Sequence, residues 1–397
     1  VYFGEDYIGK SPQTTNAPQK IAEPNSVLLC VRAPVGIVNI TNRKLCIGRG
    51  LCDVVPLGGM NEKFTLNWLR CFKNAFIKKA TGTTFVAITG DTVKNQVVPL
   101  PPLAEQKRIV AKIEELLLLV DRYAVAYEKL EQFNAKFPED MKKSILQYAV
   151  QGELVPQDSA DEPASVLLER IRAEKEQLIK SGKIKRDKHE SVIFRRDNSY
   201  YERVDGIERC IDDEIPFEIS DSWEWCRLGE LIETIDTGKS FKCEERPPDK
   251  NEYGIIKVSA VTWGTFNQEE SKTCFSTSPW VKGYSIQVDD FLICRANTAA
   301  LVGGCVIVDK ISKRLMLSDK VLRIEFSDSI SKTYVLYTLR TPFVRAQLSA
   351  AASGTSESMK NISQNAIKGL LIPFPPIKEQ YRIVSKVEES LSKIKTL

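Results

Sequence analysis

Between residues 109 and 130 the apolar positions recur in steps of 4, 3, 4, 3, 4 and 3, at Ile109, Ile113, Leu116, Val120, Tyr123, Tyr127 and Leu130. The end of the chain repeats these steps at Ile383, Val387, Ser390, Ile394 and Leu397. Two apolar positions in seven make a seam narrower than the face of a helix lying on a broad core, and such a seam suits pairing with another long helix. The two stripes therefore predict two long helices that pack against each other. The first pattern can continue through Met141, Ile145 and Tyr148, with Pro138 expected to kink or break it. At about 1.5 Å per residue, a helix over 103–149 would be roughly 70 Å long.

The segments that open these helices are copies. Residues 98–120 and 372–394 align at a constant offset of 274 with 12 identities in 23 positions, among them Pro99, Pro101, Pro102, Glu105, Gln106, Arg108, Ile109 and Val110. Prolines suit a first helical turn and a glutamate there meets the positive end of the helix dipole, so each copy reads as a loop entering a helix. Upstream, Cys30-Val31-Arg32-Ala33 resembles Ile293-Cys294-Arg295-Ala296, and Gly82-Thr83-Thr84 resembles Gly354-Thr355-Ser356. Short β-branched runs such as 305–308 and 321–326, separated by Gly, Asn, Asp and Ser clusters, predict strands and turns. The chain is thus a duplication, of class α+β: two mixed α/β domains separated by long helices that pair as an antiparallel coiled coil about a pseudo-twofold axis. The second unit has about 150 residues before its helix and the first only 98, so the chain is expected to lack part of its first unit and of its last helix.

Composition narrows the function. The 397 residues are 43% hydrophobic and 27% charged, without an apolar run long enough to span a bilayer. Ten scattered cysteines with no C-x-x-C pair favour a reducing cytoplasm. Residues 1–100 carry 12 basic and 6 acidic side chains, and residues 236–372 carry 18 and 14, whereas the intervening 206–235 holds 2 and 9. Each globular unit is mildly basic, which permits a polyanionic partner.

Catalytic signals are sparse. The single histidine, His189, lies in a charged stretch and reads as a solvated linker residue. Without a second histidine or clustered cysteines, no metal site and no His-dependent nucleophile can be assembled. Thr237-Gly238-Lys239-Ser240 imitates the end of a phosphate loop, but Glu233 stands where that loop needs its first glycine. A polar turn of this kind can instead meet a DNA backbone or base edges. The chain reads as non-catalytic.

The doubled proline-rich exit into E-Q-x-R-I-V-x-K-[IV]-E-E resembles the specificity subunit of type I restriction-modification systems. So do residues 142–157 (K-K-S-I-L-Q-Y-A-V-Q-G-E-L-V-P-Q), Ser222-Trp223-Glu224-Trp225 and Leu228-Gly229-Glu230-Leu231. The resemblance implies two target-recognition domains, at 1–100 (incomplete) and 206–372. It also implies helical spacers at 101–155 and 373–397, with a helix and exposed charged linker at 156–205. It further implies double-stranded DNA as ligand, two methyltransferase subunits docked on the helices, and restriction subunits. S-adenosylmethionine, ATP and Mg would belong to those partners and no cofactor or membrane to this chain. A fragment of a fused restriction-methylation enzyme is the alternative.

Three clusters in the second unit have the chemistry for reading DNA: Thr237, Gly238, Lys239 and Ser240; Arg295, Asn297 and Thr298; and Ser353, Gly354, Thr355 and Ser356. Arginine can bond guanine and asparagine adenine bidentately, while hydroxyls and lysine hold phosphate. The competing reading has these turns satisfying their own backbones, with Arg295 in an internal ion pair. By their repeat positions Arg32, Thr83 and Thr84 would act in the first unit.

Overall fold

The computed structural model describes residues 5–9, 14–82, 86–187, 190–275, 277–356 and 359–394. It divides into two compact units, residues 1–132 and 133–397.

In the first unit, β1 (Ile21–Ala22) pairs with β4 (Leu45–Cys46), and β2 (Val27–Cys30) is flanked by β3 (Val38–Ile40) and β5 (Leu51–Val54), all antiparallel. Period-2 alternation sends Val27 and Leu29 into a core with Leu66 and Leu69 of α1 (Glu62–Cys71) and Phe76 of α2 (Lys73–Lys79), while Leu28 joins Ala22 and Ile47 on the other face. Helix α3 (Gly90–Lys94) is capped by Thr89 and precedes α4 (Leu103–Gln151), which carries Pro138 inside it without a break.

The second unit enlarges this plan. Helix α5 (Ala164–Lys180) leads to a meander of β6 (Ser191–Arg196), β7 (Ser199–Val204) and β8 (Ile207–Cys210). After it come β9 (Glu224–Arg227), α6 (Leu228–Leu231), β10 (Ile232–Thr237), β11 (Cys243–Glu244), β12 (Gly254–Ile256), β13 (Ser271–Cys274), β14 (Phe291–Cys294), β15 (Ala296–Asn297), β16 (Cys305–Ile307), β17 (Leu315–Met316) and β18 (Val321–Phe326). Then follow α7 (Lys332–Leu339), α8 (Pro342–Ala351), β19 (Ser353–Ser356), β20 (Met359–Asn361), α9 (Gln364–Lys368), β21 (Leu371–Phe374) and α10 (Ile377–Ile394). The main sheet runs β10-β18-β14-β16. It is buried on both faces: Phe291 and Ile293 meet Val335 and Leu339 of α7, whereas Leu292 and Cys294 meet Val261, Leu315 and Leu317 on the opposite side.

The duplication extends to hydrogen bonds at the helix entry. Gln106, buried in the first turn of α4, donates to Pro101 O (3.0 Å) and accepts from Asn61 N (3.1 Å), the residue that caps α1. Gln380 in α10 donates to Pro375 O (2.9 Å) and accepts from Ser331 N (3.0 Å), the cap of α7. Each repeat thus uses one glutamine to lock the helix entry to the cap of a domain helix. Gln380→Ala would leave a buried carbonyl and a buried N–H without partners, so a loss of about 2 to 4 kcal/mol is expected. Urea denaturation of the variant measures it, and a change below about 0.5 kcal/mol, typical of an inconsequential surface substitution, would refute the clamp.

One expectation fails here, that for residues 156–205. Leu116, Val120, Tyr123, Tyr127 and Leu130 of the α4 seam are exposed, up to 68% at Tyr123, and Ile109 and Ile113 are only half-buried. Ile383 and Val387 of α10 are buried in the second unit with Leu146, Ala149, Trp223 and Tyr334, and Ile394 is buried too. Residues 156–205 are not the solvent-exposed helix and linker expected. Leu167, Leu168 and Ile171 of α5 lie in the main core, and Ile193 and Tyr200 of the meander pack with Trp225. Lys188 and His189 lie outside the described residues, and Arg186 of the same basic run pairs with Glu176 and Glu190.

Candidate nucleic-acid interface

Two of the three clusters named in the second unit bond to one loop, residues 318–320, and the third joins them through strand pairing. At the end of β10, Gly238 donates its N–H to Ser318 O (3.3 Å) and the Ser240 hydroxyl bonds Asp319. At the end of β14, the Arg295 N–H donates to Lys320 O (3.0 Å). Arg295 O accepts from Ile362 N (2.8 Å), and β15 pairs with β20, placing Asn297 opposite Lys360. β20 pairs in turn with β19, and Lys360 Nζ donates to Gly354 O (2.9 Å). Backbone bonding therefore draws 237–240, 295–298 and 353–356 into one patch.

Thr237, Lys239, Ser240, Ser353, Gly354 and Ser356 are exposed, while Arg295, Asn297 and Thr298 are half-buried; Gly238 is buried. The backbone of Thr355 lies in β19, its side chain outside the described residues. Among the described residues Arg295 and Lys239 make no ion pair. Asn297 is engaged locally: its Oδ1 accepts from Thr298 N (2.8 Å) and its Nδ2 donates to Cys294 Sγ (3.6 Å). That half of the competing reading holds for Asn297. Ser318, Asp319, Lys320 and Lys360 belong to none of the repeated motifs and join these clusters only through contacts between distant segments.

The first unit has the same frame with a different register than expected. Ile88 N donates to Val31 O (2.9 Å) as Ile362 N does to Arg295 O, and Val31 N donates to Gly50 O (3.0 Å) as Arg295 N does to Lys320 O. Gly36 N donates to Cys30 O as Gly303 N does to Cys294 O, both glycines at positive φ (86° and 80°) that a side chain would strain. Structurally, then, Val31 matches Arg295, and Arg32, bridged to Ala87, matches Ala296. Assigning Arg32 as the counterpart of Arg295 is off by one, and a one-residue slip turns a side chain to the other face. Arg32 is exposed all the same. Thr81 bridges Ala87 as Ser353 pairs with Asn361, and Gly82 and Gly354 share positive φ. Thr83 and Thr84 lie outside the described residues.

This doubled frame agrees with sequence comparison. The type I restriction modification DNA specificity domain matches residues 7–130 and 220–396. The chain belongs to this family. It is 32% identical over 335 residues to the type I restriction enzyme EcoEI specificity subunit of Escherichia coli, covering 75% of this chain and 54% of that one. It is 27% identical over 338 residues to the EcoAI specificity subunit of the same organism, covering 75% and 53%. The chain spans about half the length of these curated relatives, and neither is named as a fused restriction-methylation enzyme. Among solved structures, the HsdS subunit from Thermoanaerobacter tengcongensis aligns with 96% of this chain and 77% of its own, at 18% identity and a TM-score of 0.44. Among the described residues no helix is long and apolar enough to cross a membrane, and no group of three or more His, Cys, Asp or Glu could hold a metal ion.

Proposed function

We propose that this chain is the address-reading and scaffolding part of a cytoplasmic type I restriction-modification assembly. Each unit reads one half of a split double-stranded DNA target, and the chain itself catalyses no reaction on that DNA. Two methyltransferase subunits dock on its helical regions and restriction subunits complete the complex; S-adenosylmethionine, ATP and Mg belong to those partners. The observation that carries this reading is that 237–240 and 295–298 both bond to the 318–320 loop while β15-β20-β19 joins 295–298 to 353–356, so that segments carrying Lys239, Arg295, Lys320, Lys360 and several hydroxyls are held together. Base-edge readers and phosphate holders must lie within a few ångströms of each other to address a short stretch of groove. The exposed α4 stripe from Leu116 to Leu130 is apolar surface of the kind a docking partner covers.

Arg295 is the residue best placed to discriminate. In the assembled methylase, Arg295→Ala is expected to lose about 1 to 3 kcal/mol of binding to target duplex, confined to base changes in one half-site. Titration against duplexes altered in either half measures it. Unchanged affinity for all of them would rule out Arg295 as a reader.

A further inference from the structure

Sheet β11-β13-β12-β17 has β11 at its edge, two residues long, with Cys243 directly opposite Cys274 of β13. The two sulfurs are 3.7 Å apart. Residues directly opposed in an antiparallel pair have Cα atoms about 4.5 to 5.5 Å apart, inside the roughly 4.4 to 6.8 Å span a disulfide uses. Closure to a bond of about 2.05 Å therefore needs side-chain rotation rather than movement of the strands. No other pair of sulfurs is in contact among the described residues, and Cys46, Cys71 and Cys210 are exposed and separate.

The two thiols differ in setting. Cys274 is buried with Ile255 and Met316, and burial together with the neighbouring Cys243 thiol pushes it up to about 12, so it stays protonated. Cys243 is half-buried, beside Phe241, and is the one an oxidant from solvent reaches first. It follows Ser240 by three residues, so whatever fixes Cys243 also shortens the leash of the polar turn before it.

We propose that Cys243 and Cys274 are a redox modification site, closed to a disulfide by a peroxide and tying edge strand β11, with the turn before it, to β13. The Cys243 thiolate sulfur attacks one peroxide oxygen, the O–O bond breaks, and the departing hydroxide takes a proton to leave as water. The Cys274 sulfur then attacks the resulting sulfenic acid: the S–S bond forms, the S–O bond breaks, and the hydroxyl leaves as water with the Cys274 proton. Both thiols are oxidised by one electron each and the peroxide is reduced by two. The site does not depend on the DNA-reading proposal.

The test uses the full chain treated with hydrogen peroxide, blocked with N-ethylmaleimide, digested, and analysed by mass spectrometry with and without dithiothreitol. The expected product is a reducible link between the Cys243 and Cys274 peptides, lighter than their sum by two hydrogens and formed before any link involving Cys46, Cys71 or Cys210. Cys243→Ser should abolish the link and leave Cys274 labelled. Amide exchange over residues 241–245 should slow several-fold in the oxidised chain relative to the reduced one. Over-oxidation of Cys243 while Cys274 remains alkylatable would overturn the proposal. So would a link that leaves exchange over 241–245 unchanged, since the tether would then be absent.

Discussion

Arg227→Met is expected to destabilise the second unit by about 3 to 5 kcal/mol, because it leaves a buried carboxylate without its main counter-charge. Arg227 ends β9 with its side chain only 10% exposed. Its Nε and Nη2 donate to the two oxygens of Glu202 (2.8 and 3.0 Å), Nη2 also reaches Glu214 (2.7 Å), and Nη1 donates to Gly369 O (3.1 Å). Burial alone would raise the Glu202 carboxyl. Bonds from Arg227, Ser191 and Arg209 outweigh it and hold the group down to about 2, against an ordinary 4.5. A folded-state value below the unfolded one means that the unfolded chain takes up the proton first as pH falls. The stabilisation is therefore complete above about 4.5 and lost on descending towards 2; two and a half units correspond to about 3 kcal/mol. Urea denaturation between pH 7 and pH 3 should show stability falling in the native chain and a much shallower fall in the Arg227→Met variant. Parallel curves for the two proteins would sink this account.

That network also explains where sequence reading stopped. The helical repeat was legible because Glu105-Gln106 and Glu379-Gln380 sit at fixed distance from prolines that must be kept for the same reason twice: one glutamine bridges a loop carbonyl and a helix cap. The strands around β2 and β14 were legible from their β-branched, apolar runs. The meander was not, because its strands carry alternate charges: Glu202 looks solvated in sequence yet is buried, bonded by Arg227 and by the exposed Arg209. Helix α5 misled for a related reason. Its alternating charges suggested a free face, but Ala164, Leu167, Leu168 and Ile171 recur at helical spacing and form the core side. The seam of α4 has the spacing of a pairing helix and stands exposed.

The candidate interface was legible as three separate motifs and not as one patch. Its unity comes from β15-β20-β19 and from the 318–320 loop, contacts between residues up to 80 positions apart that no local pattern encodes. The off-by-one placement of Arg32 has the same origin. Identical letters drew the alignment to Arg295, whereas hydrogen bonding aligned the preceding residue, and only the pairing partners Ala87 and Asn361 reveal it.

Gly238→Ala is expected to disrupt this patch more than removal of any single side chain in it. A Cβ there would lie 1.8 Å from Leu317 O and 2.3 Å from its carbonyl carbon. The obstacle is backbone, and it cannot retreat: Leu317 is buried in the second core and its N–H donates to Tyr284 O (2.9 Å). The turn must therefore move outward, giving up the Gly238 N–H bond to Ser318 and the Ser240 contact with Asp319. Overpacking of this kind costs about 1 to 3 kcal/mol. Gly283→Ala is the matched control, since a Cβ there meets nothing within 4 Å and should change stability by less than about 0.5 kcal/mol. Both variants are to be melted as full chains and titrated with target duplex in the assembled methylase. The displaced turn predicts lowered stability for Gly238→Ala together with a loss of affinity at one half-site beyond that of Lys239→Ala. Equal melting of the two glycine variants would refute the steric argument, and lowered stability with native affinity in the folded fraction would remove the turn from DNA reading.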